Sequence, residues 1–305
     1  MDHLEARFPE VGFTCCRTYE AVPETLAECA PDALYGIIFA GRRDYPRQAM
    51  FNTPSLDWIS VGGSGTDHLA PWDPAAVTVT NSAGVAAEVM AQYVLGAILS
   101  LSLGFPAFAR AQRERRWVEG MVRPISGRTA AVVGLGKTGR AVARTLKSMG
   151  LRVVGVRANP GPTEPVDRVY GTADLHQALG EADFVVLCLP LTEQTRHCID
   201  EAAIAAMTPG VILVDVSRGG VLVGDALVAG LRSGHVAGAA LDVFEGEPLA
   251  TESPLWSLEN VIVTPHCSSV YEGWERRSAV MFGDNLARRL RGEPLENIVD
   301  PARGY

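Results

Sequence analysis

The sequence predicts an α/β protein: a doubly wound parallel sheet joined to a second, smaller α/β domain. Three observations predict it. From residue 129 onward, six short runs are apolar almost throughout: AAVVG (130–134), RVVGV (152–156), FVVLCL (184–189), VILVDV (211–216), AGAAL (237–241) and VIVT (261–264). Strands buried on both faces read this way, because helices cover both sides of a parallel sheet. Helical stretches of about 10–15 residues separate the runs, the alternation that βαβ crossovers require. The third observation is a Gly-x-Gly-x-x-Gly turn between the first run and the helix after it. A length of 305 residues, against roughly 100–200 for a typical domain, allows two such units.

The first third of the chain carries weaker signals of the same kind. Segment 35–40 (YGIIFA) is a short apolar run of strand type. Segment 55–61 reads as a strand that ends in a glycine-rich loop at 62–65, and 77–80 (VTVT) alternates β-branched residues. Residues 86–103 form a long apolar helix candidate. Residues 110–116 (RAQRERR) are charged at helical period, which reads as a solvated helix face. Residues 279–291 are amphipathic and stop at Gly292, as for a helix that returns to the first domain.

Bulk properties exclude several classes. A net charge of −8 lacks the basic footprint of a nucleic-acid partner. The first ten residues hold no apolar leader core, and the most apolar stretch, 93–103, is too short and polar-flanked to span a bilayer, so no membrane partner is expected. Six cysteines lie scattered without a CxxC pair, and Cys15 and Cys16 are adjacent. Reduced thiols in a cytoplasmic protein are the reading. No His/Cys/Asp cluster has metal-ligand spacing, so no metal is expected.

The glycine turn reads Gly134, Leu135, Gly136, Lys137, Thr138, Gly139, with a buried strand before it and a helix after it. In that Rossmann context Gly134 permits the tight turn, Gly136 lets the backbone approach a pyrophosphate, and Gly139 lets helix and strand pack closely. The helix N-terminus adds free N–H groups and partial positive charge. An acidic residue normally ends the next strand and holds the ribose 2′-OH of NAD. Here that strand ends at Arg157, with no Asp or Glu close by. An arginine pairs with a 2′-phosphate, so NADP(H) is favoured and NAD(H) remains possible. The competing reading has Arg157 stacked on the adenine or facing solvent. The expected division is 96–279 for the dinucleotide-binding domain, and 1–95 with 280–305 for a substrate domain.

Segments 182–200 (ADFVVLCLPLTEQTRHCID), 214–223 (VDVSRGGVLV), 238–249 (GAALDVFEGEPL), 253–256 (SPLW) and 260–269 (NVIVTPHCSS) follow one another in order, with SVGGSGTDHL (60–69) before them and GEPLENIVD (292–300) after. Segment by segment they resemble the D-isomer-specific 2-hydroxyacid dehydrogenases, a group that includes glyoxylate/hydroxypyruvate reductases and phosphoglycerate dehydrogenase. The resemblance covers nearly all the chain. It implies a flavodoxin-like substrate domain beside the Rossmann domain, a nicotinamide cofactor, a small 2-keto/2-hydroxy acid substrate, and a homodimer formed through the dinucleotide domains.

The resemblance also implies a catalytic set of Arg218, Glu247 and His266. Arg218 has a planar fork of donors suited to a carboxylate and a keto oxygen. His266 is suited to exchanging a proton near neutral pH, and Glu247 to fixing its ring. Asp242 matches a position that contacts the nicotinamide carboxamide. Ser64 and Gly65 match a loop whose N–H groups hold the substrate carboxylate. Leu189, Pro190, Thr195, Val216 and Ser217 match the loops beside the cofactor. His68 is expected to pack, and Trp256 and Trp274 to line or flank the pocket.

The chain departs from the pattern at Asp215, where most members have Asn, at Ala91–Gln92, where Ala-Glu is usual, and at Cys267, beside the histidine. A first β-strand that usually precedes the helix matching residues 2–10 is expected to be absent. Two other readings keep the fold: a phosphite-type dehydrogenase, and a dinucleotide-sensing protein like the C-terminal-binding corepressors. Formate oxidation is disfavoured, because formate dehydrogenases of the family carry Gln at the position of Glu247.

Overall fold

The computed structural model of the protein describes residues 2–37, 45–301 and 303. It divides into two compact units, residues 1–85 with 272–305 and residues 86–271.

In the first unit the elements run α1 (Asp2–Arg7), α2 (Val22–Cys29), β1 (Ala33–Gly36), α3 (Arg47–Phe51), β2 (Trp58–Val61) and β3 (Thr78–Asn81). The three strands pair in parallel in the order β1-β2-β3. The first described element is a helix, and β1 stands at an edge. The second unit contributes α4 (Ala87–Ser102), α5 (Phe105–Arg113), β4 (Thr129–Val133), α6 (Lys137–Ser148), β5 (Arg152–Val156), β6 (Arg168–Tyr170), α7 (Leu175–Gly180), β7 (Phe184–Leu187), α8 (Glu201–Ala206), β8 (Val211–Asp215), α9 (Gly224–Ser233), β9 (Val236–Leu241) and β10 (Val261–Val263). The chain then returns to the first unit through α10 (Trp274–Leu290).

The large sheet is parallel throughout, in the order β10-β9-β8-β7-β4-β5-β6. Strand order reverses between β4 and β7, and in such sheets ligands bind beyond the strand carboxyl ends at that switch. The apolar runs are unbroken because they serve two cores. Ala131, Val133, Val185, Leu187 and Leu213 face one; Ala130, Val132, Phe184, Val186 and Val214 face the other.

Several strands stop a residue or two before the apolar run does. Gly134, Cys188–Leu189, Val216 and Thr264 have left the ladder to begin loops. The expected strand 55–61 starts only at Trp58, because the Leu56 N–H turns back to Thr53 O and Asp57 bonds to Asp32 O. For the expected strand 35–40, β1 ends at Gly36, and residues 38–40 lie outside the described residues. The charged segment 110–116 is helical only to Arg113, with Arg115 at φ +54°. β6 had no visible signal: it is three residues long, at the sheet edge, and begins on an exposed arginine.

Residues 86–95 join the dinucleotide-type unit rather than the first, because α4 packs along α6, with Ala87, Ala91 and Val94 in its core. Residues 272–279 join the first unit, because α10 begins at Trp274 and buries Ser278, Phe282 and Leu286 there. Phe282 stacks on Trp58 with ring centroids 5.1 Å apart, and Leu4 and Phe8 of α1 complete that cluster. Among the described residues, no single helix is long and apolar enough to cross a membrane. α4 and α5 pass by length and composition only as a pair bent by 62°.

Candidate active site

The glycine turn begins where β4 ends. Gly134 adopts φ +101°, and a Cβ there would lie 2.6 Å from Cys188 O. A Cβ at Gly139 would lie 1.8 Å from Gly134 O, so α6 rests directly on the turn. A Cβ at Gly136 would meet nothing within 4 Å. That open side adjoins the N-terminus of α6, which no side chain caps. Tight packing behind and open space in front, beside uncapped N–H groups, suit an incoming phosphate. The Leu135 side chain is buried against β5, where a Cβ at Gly155 would come 2.4 Å from its Cδ1. The Thr138 hydroxyl turns to Met90 Sδ at 3.9 Å. Contact to a ligand at these two positions is left to the backbone.

Arg157 leaves the end of β5 half-buried, with Nη1 donating to Thr163 Oγ1 at 3.3 Å. It forms no ion pair among the described residues, which leaves its charge available. Leu189 and Pro190 follow the end of β7. Thr195 folds that loop, accepting from Thr192 N–H at 2.8 Å and donating to Pro190 O at 2.7 Å.

His266 lies just beyond β10. Its Nδ1 is 2.9 Å from Glu247 Oε2, and the other Glu247 oxygen accepts from Phe244 N–H at 3.0 Å. Burial raises the Glu247 pKa. The hydrogen bonds from His266 and Phe244, with the charges of His266 and Arg218, more than offset it and hold the carboxyl below its usual value. Arg218, in the loop after β8, is thus close enough to act on Glu247; its Nη1 also donates to Ser217 O at 2.8 Å. His266 and Glu247 are thus in direct contact, and Arg218 lies in the same unit. His266 sits at φ +52°, a region costly for a residue with a Cβ. Its N–H donates to Asp242 O at 2.9 Å.

Two buried carboxylates lie beneath this set. Asp242 is fully buried at the end of β9. Its Oδ1 accepts from Thr264 Oγ1 at 2.6 Å and Cys267 N–H at 2.9 Å, and its Oδ2 from Ser268 N–H at 2.9 Å. Since the Thr264 proton goes to Asp242, Tyr93, 2.7 Å away, must donate to Thr264. The nicotinamide role inferred from resemblance is therefore joined by a role as clamp on both sides of His266. Tyr93 and Thr264 carried no sequence signal of their own.

Asp215 is also buried. Its Oδ1 accepts Ser217 N–H at 2.9 Å and Ser217 Oγ–H at 2.5 Å. Burial, with the Asp242 charge, pushes it up to about 7 against the Ser217 hydrogen bonds and Arg218. Val216 and Ser217 are buried and shape the loop that carries Arg218.

In the first unit, Ser64 and Gly65 lie in the loop after β2, considered below. The His68 ring packs edge-on to Tyr45 with centroids 5.4 Å apart. Trp256 is largely exposed and donates to Ala250 O, while Trp274 opens α10. Among the described residues, no group of His, Cys, Asp or Glu could hold a metal ion.

A doubly wound parallel sheet with a glycine phosphate turn at its switch point defines a dinucleotide-binding protein. Similarity extends this. The family model for "D-isomer specific 2-hydroxyacid dehydrogenase, NAD binding domain" matches residues 95–268. Glyoxylate reductase of Korarchaeum cryptofilum is 36% identical over 235 residues, 73% of this chain and 69% of that one. D-3-phosphoglycerate dehydrogenase of Methanocaldococcus jannaschii is 30% identical over 91% of this chain, which spans only about half (53%) of that protein. Among solved structures, a D-isomer specific 2-hydroxyacid dehydrogenase from Xanthobacter autotrophicus Py2, in complex with NADPH and MES, is 31% identical with a TM-score of 0.77, covering 96% of this chain and 98% of that one. An NADPH-dependent glyoxylate/hydroxypyruvate reductase from Sinorhizobium meliloti, in complex with NADP and sulfate, is 29% identical with a TM-score of 0.78, covering 89% and 86%. The chain belongs to the D-isomer-specific 2-hydroxyacid dehydrogenase family, and is an NAD(P)-dependent oxidoreductase of hydroxy acids.

Proposed function

We propose that the protein reduces a small 2-keto acid of the glyoxylate or hydroxypyruvate kind to the 2-hydroxy acid, with NADP(H) preferred over NAD(H). The observation that carries this reading is the His266–Glu247 pair at 2.9 Å, with His266 Nε2 left free of hydrogen bonds among the described residues. With Nδ1 engaged by the carboxylate, Nε2 is the atom that exchanges a proton with the substrate oxygen. The dinucleotide, when bound, supplies or accepts the hydride at the carbonyl carbon. Arg218 polarises the keto oxygen, and the Ser64 and Gly65 amides are the carboxylate receivers that the family resemblance implies. In reduction the proton passes from His266 Nε2 to the oxygen, and Glu247 stabilises the imidazolium before it is spent.

The backbone of residues 134–139 and the N-terminus of α6 would hold the cofactor's phosphates, and residues 189, 190, 195, 216, 217 and Asp242 are the further residues that would line its site. NADP(H) preference rests on Arg157, a cation without a carboxylate partner among the described residues where an acid would select NAD. Residues 86–271 act as the dinucleotide domain, and 1–85 with 272–305 as the substrate domain. A homodimer is supported by exposed apolar side chains between residues 105 and 122: Trp117 is 96% and Met121 99% exposed, and Phe105, Val118 and Val122 are exposed as well. A reducing, cytoplasmic setting fits six free cysteines.

The test follows absorbance at 340 nm with NADPH or NADH against glyoxylate, hydroxypyruvate, pyruvate and phenylpyruvate. Oxidation of NADPH with the smaller acids is expected. Tight dinucleotide binding with no turnover on any acid would overturn the reductase reading.

A further inference from the structure

The loop after β2 turns two peptide planes the same way. Ser82 N–H donates to Gly63 O at 2.9 Å, and Asn81 Nδ2 donates to Ser64 O at 2.7 Å. Both peptides are trans. In a trans peptide the N–H points opposite to the C=O. With the Gly63 and Ser64 carbonyls drawn towards the end of β3, the N–H groups of Ser64 and Gly65 face away from it. Neither donates to any group among the described residues. Gly63 and Ser64 are exposed, and a Cβ at Gly63 would meet nothing within 4 Å. Successive free N–H groups of this kind form an anion-receiving concavity.

The Asn81 amide has a defined orientation. Its Oδ1 accepts Ala83 N–H at 3.1 Å, so its Nδ2 is the end facing Ser64 O. Asn81 is buried and held on both backbone sides: its N–H donates to Asn297 O at 3.1 Å, and Asn297 Nδ2 donates to Asn81 O and Ala83 O, each at 3.1 Å. Ser278 of α10 fastens the loop's base, donating to Gly62 O at 2.9 Å and lying 2.7 Å from Ser82 Oγ. Among the described residues, the one side-chain donor to the Ser64–Gly65 peptide is thus itself anchored by the C-terminal segment.

We infer that Asn81 is a positioning residue for substrate specificity: by holding Ser64 O, it presents the Gly65 N–H, beside that of Ser64, to the carboxylate of the keto acid. The inference rests on the reading of Ser64 and Gly65 as carboxylate receivers. Without that bond the Ser64 carbonyl is free to turn to water, since Ser64 is exposed. Asn81 removes that freedom before substrate arrives, so its contribution falls on substrate affinity and not on hydride or proton transfer.

Asn81→Asp tests this, because it is isosteric and keeps the acceptor for Ala83 N–H while replacing the donor that faces Ser64 O. The expected result is a KM for glyoxylate raised about tenfold or more, on the scale of one charge-assisted hydrogen bond. kcat at saturating acid should stay within about threefold and the NADPH dissociation constant near wild type, while the melting temperature falls, because a buried carboxylate oxygen then faces Ser64 O. Asn81→Ala, which removes both amide ends, serves if the aspartate variant does not melt cooperatively. An unchanged KM, or a loss confined to kcat, overturns the inference. Gly65→Pro, which deletes the N–H itself, separates the two layers. If it folds and binds keto acid normally, the carboxylate reading of the loop fails. If it raises KM while both Asn81 variants do not, only the role of Asn81 fails. Should Gly65→Pro not fold, the Asn81 variants alone decide.

Discussion

His266 Nδ1 and Glu247 Oε2 lie 2.9 Å apart, and His266 reaches that position from a left-handed backbone at φ +52°. The carboxylate thereby leaves Nε2 as the only ring nitrogen free for chemistry. Replacing His266 with Gln should lower turnover by about 10²–10⁴-fold, the usual scale for a general acid, with dinucleotide binding intact. Replacing Glu247 with Gln should lower it less, because the proton donor remains. Steady-state rates beside fluorescence titration with NADPH check both. Wild-type turnover in His266→Gln would remove it from the reaction.

The strain at His266 is maintained by Asp242, whose two oxygens clamp Thr264, Cys267 and Ser268. Asp242→Asn retains one acceptor and sets an NH₂ against either Ser268 N–H or the Cys267–Thr264 pair. Leaving a buried donor unsatisfied costs about 1–3 kcal/mol. The expected variant melts lower and turns over at least tenfold more slowly. A variant with the wild-type melting temperature and rate would show that the clamp does not set the histidine.

The proposed preference for NADP(H) rests on Arg157 at the end of β5. Arg157→Asp should raise the NADH/NADPH ratio of kcat/KM by about tenfold or more, through loss of a 2′-phosphate contact and gain of a ribose acceptor. An unchanged ratio would mean that Arg157 does not meet the 2′-phosphate.

What could be read from sequence divides along a physical line. The six apolar runs were legible because burial on both faces leaves no polar alternation to obscure them. The Gly134–Gly139 spacing was legible because Gly134 and Gly139 each answer a local steric demand, while Gly136 leaves open space before the helix. Arg218, Glu247 and His266 came from motif resemblance, and the structure sets the last two 2.9 Å apart. The clamp made by Asp242 was not legible, since its partners Cys267 and Ser268 lie 25 and 26 residues away and donate through backbone N–H groups common to nearly every residue type. The start of α10 was missed because Glu275, Arg276 and Arg277 interrupt the apolar pattern in its first turn. Asn81 gave no signal, because its part depends on which carbonyl its amide meets.

Asp215 offers a test that turns on pH. Its burial, aided by Asp242, lifts it to about 7 from an ordinary 3.8, against the pull of Ser217 and Arg218. A carboxyl raised in this way binds its proton more tightly in the fold than in the unfolded chain. The stability it contributes is complete below the ordinary value, and is lost as pH rises through about 7. Asparagine has no proton to lose, and its Oδ1 still accepts both Ser217 hydrogen bonds. Asp215→Asn should therefore gain melting temperature over wild type at pH 8 and gain little at pH 5. Each kcal/mol is worth roughly 2–4 °C in a chain of this size, so a gain of several degrees is expected. Parallel melting curves across that range would mean that Asp215 carries the same charge folded and unfolded. The Ser217 bonds would then hold a permanent carboxylate beneath Arg218, and Arg218 would work against a fixed negative neighbour at every pH.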